Sequence, residues 1–165
     1  MSNETTEPTE MHPIEQRAAE NPTPWGQSHI DQYLASNGAA VEHPMADDLI
    51  LLYTRGRKSG EIRRVPVVHY RDGDDLIVVA SKGGAPAHPS WYLNLVANPT
   101  VWVRRKGDFF EAEATVVGDA ERRTLWQSVA AWAPFFQGYQ DKVSRQIPLV
   151  RLHPVGTDVV SPPPE

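Results

Sequence analysis

The sequence predicts a mixed β-barrel with helices, an α+β architecture, and three observations carry that prediction. Short runs rich in valine, isoleucine and leucine recur between Asp48 and Leu152. Turn signals such as Asp72-Gly73 and Lys106-Gly107-Asp108 separate them. Helical stripes interrupt the series in the order helix, three strands, helix, two strands, helix, strand, which lacks the strict alternation of a doubly wound sheet.

Residues from Met1 to about Thr23 are polar and proline-bearing, and the stretch from Pro154 to Glu165 ends in three prolines before its last residue. Both are expected to lack fixed structure, leaving residues 24–153 as a single domain. Ile30, Tyr33 and Leu34 fall at i, i+3 and i+4, with Gly38 at a helix stop, so a short amphipathic helix is predicted from about Gln27 to Asn37. Strands are predicted at Leu49 to Thr54, Arg64 to Tyr70 and Leu76 to Ala80, then at Thr100 to Arg105, Phe109 to Val117 and Ile147 to Leu152. Pro66 cannot donate to a ladder, which places it at an edge or irregularity where a ligand could reach the backbone. Pro89 opens a short helix carrying Trp91, Leu95 and Val96, which ends at Asn98-Pro99. Asp119 is the expected cap of a longer helix whose apolar face holds Leu125, Trp126, Val129, Ala130 and Trp132, before Pro134 stops it.

A chain of 165 residues suits one core, and the absence of cysteine excludes disulfides, thiolate metal sites, iron–sulfur clusters and a cysteine nucleophile. No run approaches the roughly twenty apolar residues of a membrane span, and no apolar signal core follows a basic start. The protein is therefore expected to be soluble and cytoplasmic, with peripheral contact at the inner membrane face left open. The net charge of −5 argues against a nucleic-acid binder. Between Arg55 and Arg64, however, Arg55, Arg57, Lys58, Arg63 and Arg64 stand against Glu61 alone. Such a segment reads either as the site of one anionic ligand or as a solvated arginine-rich hairpin.

Gly56-Arg57-Lys58-Ser59-Gly60 supplies free backbone, a hydroxyl and two cations, which is what a phosphate needs, although a polar turn has the same composition. It lacks the spacing of a Walker loop. Ala80-Ser81-Lys82-Gly83-Gly84 ends a predicted strand, where paired glycines permit close approach of a flat ligand or simply make a turn. Ser90-Trp91-Tyr92-Leu93-Asn94-Leu95 follows on a helix, and its tryptophan and asparagine serve either packing or a ligand. His69, His88 and His153 lack metal-ligand spacing, so no metal is expected. No nucleophile elbow surrounds Ser59, Ser81 or Ser90.

Taken in order, Thr54 to Gly60 with Arg63 and Pro66, then Ala80 to Gly84, then Pro89 to Leu95 with Asn98-Pro99, closely resemble the deazaflavin-dependent nitroreductase family of actinobacteria. The resemblance runs on through Ile147-Pro148 and covers about Leu49 to His153. It implies a split β-barrel related to flavin-mononucleotide oxidoreductases, and coenzyme F-420, a deazaflavin with an anionic phosphate and oligoglutamate tail. Carried over by position, Arg57, Lys58, Ser59 and Arg63 resemble the tail and phosphate contacts, with Val65 and Pro66 along the cofactor. Val79, Ala80, Ser81 and Lys82 would border the ring, and Ser90, Trp91 and Asn94 would close its other side. The acceptor pocket departs from the family pattern. Its stretch Ala133-Pro134-Phe135-Phe136-Gln137-Gly138-Tyr139 keeps one phenol, Tyr139, and Val68 stands where a tyrosine is usual.

The resemblance therefore implies a reductase that passes a hydride from reduced coenzyme F-420 to a quinone, an enone or a nitro compound. Ser81 is expected to polarise the acceptor and Tyr139 to deliver a proton. Two other readings stay open on sequence alone. One is a reductase using flavin mononucleotide, or a haem binder, of the same fold lineage. The other is a non-catalytic carrier of a deazaflavin or another apolar ligand.

Overall fold

The computed structural model describes residues 11–155; residues 1–10 and 156–165, with the expectations that fall on them, lie outside it. Period-two alternation divides nearly every strand between two cores. Ile50 and Leu52 of β1 (Leu49–Arg55) turn inward to meet Val101 and Val103 of β5 (Thr100–Arg105) and Phe110, Ala112 and Ala114 of β6 (Asp108–Val116). Leu76 and Val78 of β4 (Asp75–Val79) join them, as do Val150 and Leu152 of β7 (Leu149–Pro154). The intervening Leu49, Leu51, Tyr53, Trp102 and Phe109 face outward onto Ile30 and Tyr33 of α2 (Pro24–Ser36). On the other side, Ile77, Val79 and Leu149 meet Leu125, Trp126 and Val129 of α4 (Asp119–Trp132) and Phe136 of α5 (Phe135–Asp141). Because helices cover parts of the outer face, a strand such as β1 is buried on both sides and its sequence reads as a continuous apolar run.

The sheet is antiparallel throughout, in the order β2-β1-β5-β6-β7-β4-β3. Its two ends, β2 (Ile62–Val68) and β3 (Tyr70–Asp72), are consecutive in the chain and joined by His69 alone. One residue cannot span a flat seven-stranded sheet at about 4.8 Å per strand, so the sheet curls into a half-open barrel. This is a split β-barrel. The predicted strand from Arg64 to Tyr70 is thus two strands, making seven rather than six. The break has a local cause: the His69 amide donates to the Asp48 carbonyl at 2.9 Å, its ring Nδ1 lies 2.8 Å from the same oxygen, and the residue is buried. The last strand starts at Leu149 rather than Ile147, whose amide donates instead to Gln140 Oε1 at 2.8 Å. Inside the barrel mouth, Leu95, Trp91 and Tyr92 of α3 (Ser90–Ala97) pack on the interior core.

The segment before Thr23 differs most from expectation. Residues Pro13–Arg17 form a short helix, α1, and Glu15 is 2% exposed on the outer face of the barrel. Its carboxylate accepts Arg104 Nε at 2.7 Å, Arg104 Nη2 at 2.5 Å and the Tyr53 hydroxyl at 3.0 Å. The chain then runs beside β2, where the Ala19 amide donates to Ile62 O at 2.8 Å and Asn21 Nδ2 to Arg64 O at 3.0 Å. Helix α2 begins at Pro24, earlier than predicted, because Thr23 Oγ1 caps the Gly26 amide and proline suits the first turn. It ends at left-handed Asn37, after which Gly38 at φ 78° donates to Tyr33 O at 2.9 Å. Asp119 lies inside the first turn of α4, whose N-cap is Gly118. There its charge meets the positive end of the helix dipole without making the predicted cap.

Candidate active site

The site is built on the free edge of β2. Ile62 and Arg64 turn their carbonyls to the N-terminal segment, away from β1, so by alternation Pro66 and Val68 present their backbone on the same free edge. The missing N–H of Pro66 therefore costs no ladder bond, as its expected place at an edge requires. A cavity of about 1240 Å³ lies along this edge, lined by β2 from Arg63 to Val68. Seven residues of strand reach about 20 Å, and the volume exceeds the roughly 300–1,000 Å³ of an ordinary small-molecule pocket. There is room for a long ligand and a second molecule.

At the end where β2 begins, the turn Gly56 to Gly60 is closed by Gly56 N–H to Glu61 O at 2.7 Å and Gly60 N–H to Gly56 O at 2.9 Å, with Gly60 at φ +77°. Asn94 of α3 braces it: Oδ1 accepts the Arg57 amide at 3.1 Å and Arg57 Nη1 at 2.8 Å, while Nδ2 donates to Thr54 Oγ1 at 3.1 Å. Buried Asn94 thus sets the direction of Arg57 more than it offers itself to a ligand. Ser59 Oγ likewise already accepts the Glu61 amide at 3.0 Å. Arg57 and Lys58 are exposed, and Arg63 pairs loosely with Glu61 at 3.1 Å.

The second wall is the turn after β4. Lys82, Gly83 and Gly84 all have positive φ, and a Cβ on Gly84 would meet the Tyr139 backbone of α5 at 3.1–3.2 Å. Glycine there permits the close approach of turn and helix. Arg145 clamps the turn from behind, donating to Ala80 O at 3.3 Å, Ser81 O at 2.9 Å and Ala85 O at 2.9 Å. Ser81 is thereby held at the cavity wall with 7% exposure. The third wall is α5, whose Phe135, Phe136 and Tyr139 rings lie 4.6–6.0 Å apart. The stretch expected to line the acceptor pocket is therefore mostly a helix.

Arg57, Lys58, Ser59, Arg63, Val65, Pro66, Val68, Ser81, Lys82, Ser90, Trp91, Asn94, Phe135, Phe136 and Tyr139 all line this one cavity. Two expected residues do not: Val79 turns its side chain to the α4 core, and Ala80 is fully buried behind Ser81. Val79 and Ser81 would share one side by alternation, but Ser81 lies past the end of β4, in the turn held by Arg145, and so reaches the cavity that Val79 does not. Residues that the sequence reading missed include Glu20 to Thr23, Trp25, His43, Met45, Thr54 and Arg64. Most belong to segments read as unstructured or as plain connections, so only Thr54, at the start of the first motif, and Arg64, in the basic run, carried a signal.

The lining is electrostatically lopsided. Arg57, Lys58, Arg63, Arg64 and Lys82 face it, against Glu20, although the protein is acidic overall. Arg64 Nε is buried without a hydrogen-bond partner among the described residues. A buried donor of this kind calls for an acceptor, and an anionic ligand against β2 would provide one. The far end, around Met45, Leu49, Val68 and Phe136, is apolar. A cationic end, an open strand edge and an apolar end would suit a flat ring on a phosphorylated, acidic tail.

Comparison with known proteins identifies the family. The profile of the F(420)H(2)-dependent quinone reductase family matches residues 25–154. An F(420)H(2)-dependent quinone reductase of Mycobacterium tuberculosis is 39% identical over 128 residues, covering 75% of this chain and 86% of that protein. Among solved structures, an F(420)-H2-dependent reductase is 36% identical with a TM-score of 0.59, covering 64% of this chain and 94% of its own. A chain described as a domain-swapped dimer is 34% identical with a TM-score of 0.62, covering 75% and 91%. The haem storage protein HutZ of Vibrio cholerae, at 17% identity and a TM-score of 0.50, shares the fold alone. With the profile spanning all seven strands and most of the cavity lining, the chain belongs to the F(420)H(2)-dependent quinone reductase family.

Proposed function

We propose that this protein binds reduced coenzyme F-420 along β2 and reduces a quinone held at the apolar end of the same cavity. The observation that carries the proposal is the division of one 1240 Å³ space, lying along the edge strand β2, into a cationic end and an apolar end. When bound, the coenzyme supplies a hydride equivalent, which is chemistry that no side chain of this chain offers. Everything else falls to the protein. Arg57, Lys58 and Arg63 hold the anionic tail, with Asn94 orienting Arg57, and Arg64 Nε gains an acceptor. Val65, Pro66 and Trp91 form the apolar bed, while Phe135, Phe136 and Val68 keep water from the reacting atoms.

Ser81 donates to the acceptor oxygen on which negative charge builds as hydride arrives. Arg145 fixes the backbone on either side of Ser81, so the hydroxyl is placed before the acceptor enters. Tyr139, half-buried in the lining, is the phenol available to return a proton. Apolar Phe135 and Phe136 favour planar quinones and enones over polar nitroimidazoles, whose buried polar atoms would lack partners. The test is turnover of a quinone panel with reduced coenzyme F-420. Tight binding without turnover would leave a carrier, and binding of flavin mononucleotide in its place would overturn the cofactor assignment.

A further inference from the structure

The loop between α2 and β1 carries a histidine that the sequence reading did not use. Backbone bonds fix this loop: the His43 amide donates to Val41 O at 2.9 Å, Ala46 N–H to His43 O at 3.1 Å and Asp48 N–H to Met45 O at 2.9 Å. The ring is fixed too. Its Nδ1 accepts the Met45 amide at 3.0 Å, which leaves the proton of a neutral imidazole on Nε2. His29 of α2 stands edge-on to it at 5.4 Å, and Trp25 edge-on to His29 at 5.8 Å. His43 and Trp25 both line the cavity.

His43 belongs to the apolar end. Met45, to which it is bonded, packs on the same core as Val68, Tyr139 and Phe136. Besides His43, the polar side chains in the lining around that end are few, namely Ser81 with the adjacent Lys82, Tyr139 and the Trp25 indole. A quinone presents two carbonyl oxygens on opposite sides of its ring, and Ser81 can serve one. Burial, and after it the neighbouring His29, push the pKa of His43 below the ordinary histidine value. The ring is thus neutral at neutral pH, as a hydrogen-bond donor that keeps its proton should be.

We propose that His43 is a catalytic residue, donating Nε2–H to a carbonyl oxygen of the quinone and stabilising the charge that hydride transfer places there. The inference rests on the quinone reductase reading above. The quinone gains the hydride with its electron pair and one proton through Tyr139, which solvent reprotonates, becoming the hydroquinone, while the coenzyme is oxidised by two electrons. The imidazole retains its proton throughout.

The test compares wild type, His43→Leu and His43→Gln as full chains, using reduced coenzyme F-420 and a soluble naphthoquinone. His43→Leu removes the donor and should lower kcat about 100- to 1,000-fold, the effect of deleting one oxyanion donor, with coenzyme affinity by fluorescence titration unchanged. His43→Gln keeps an N–H at the same reach and should recover most of that loss. Nitrogen-15 NMR of the wild type, with His43 assigned from the glutamine variant, should show the Nε2–H tautomer. Full turnover by His43→Leu, equal loss in both variants, or the Nδ1–H tautomer overturns the role of His43 while leaving the reductase reading intact. No quinone turnover by wild type overturns both.

Discussion

Replacing Glu15 with glutamine should destabilise the protein out of proportion to its place near the chain start. The carboxylate is 2% exposed and receives two charge-assisted bonds from Arg104, at 2.7 and 2.5 Å, and a third from Tyr53 at 3.0 Å. Burial opposes the charge of Arg104, but the Glu15 bonds outweigh it and raise its pKa. Burial, followed by the Glu15 charge, also raises the pKa of Tyr53, so its hydroxyl remains a donor. Bonds to charged groups contribute about 1.5–3 kcal/mol each, and removing one partner of a buried ion pair costs about 3–5 kcal/mol in all. Glu15→Gln should therefore lower unfolding stability by about 3–5 kcal/mol in urea titration. Glu15→Gln with Arg104→Met should recover part of that loss, because no buried charge is left alone. Coenzyme affinity should fall as well, since Glu20 to Thr23, which line the cavity, hang from this anchor. A loss under about 1 kcal/mol, the range of an exposed pair, would refute a docked α1.

Lys58→Ala should weaken coenzyme binding by about 1.5–3 kcal/mol, and Arg63→Ala by less because Glu61 already holds it; saturating coenzyme should restore the rate in both. A lower saturated rate with unchanged affinity would displace the tail from this turn. Ser81→Ala should do the reverse, reducing kcat with affinity intact, and equal turnover across several quinones would remove Ser81 from the mechanism. Burial, outweighing the Asp48 carbonyl bond, lowers the pKa of His69 below 6.5. The unfolded chain then binds the proton first, so stability should fall as pH drops through 6.5 toward the folded-state pKa, with His43 and His88 acting in the same direction. His69→Gln should flatten this slope in urea midpoints measured across that range, and an unchanged slope would remove His69 as a cause.

Local signals located most of the barrel. Strand β5 from Thr100 to Arg105 and the bounds of α3 and α4 follow from apolar runs and proline or glycine stops within a few residues. The basic turn, the turn after β4 and α3 were legible as three pieces, and the curled sheet brings them to one cavity. What stayed hidden depends on distant partners. Glu15 in a polar stretch gives no sign of burial, because Arg104 lies 89 residues away. The break at His69 rests on a carbonyl 21 residues earlier. Helix α5 contains Gly138 and is seven residues long, too weak in propensity to announce itself without the α4 core beneath Phe136.

The central claim is that one cavity holds coenzyme F-420 and a quinone together. Mixing the protein with reduced coenzyme F-420 and a naphthoquinone, and following the absorbance of the oxidised coenzyme, tests it most directly. The account predicts multiple turnovers, with a saturable dependence on both molecules, a coenzyme KM that rises with salt, and no reaction when flavin mononucleotide replaces the coenzyme. Absence of turnover despite saturable coenzyme binding, or turnover supported equally by reduced flavin mononucleotide, would contradict it.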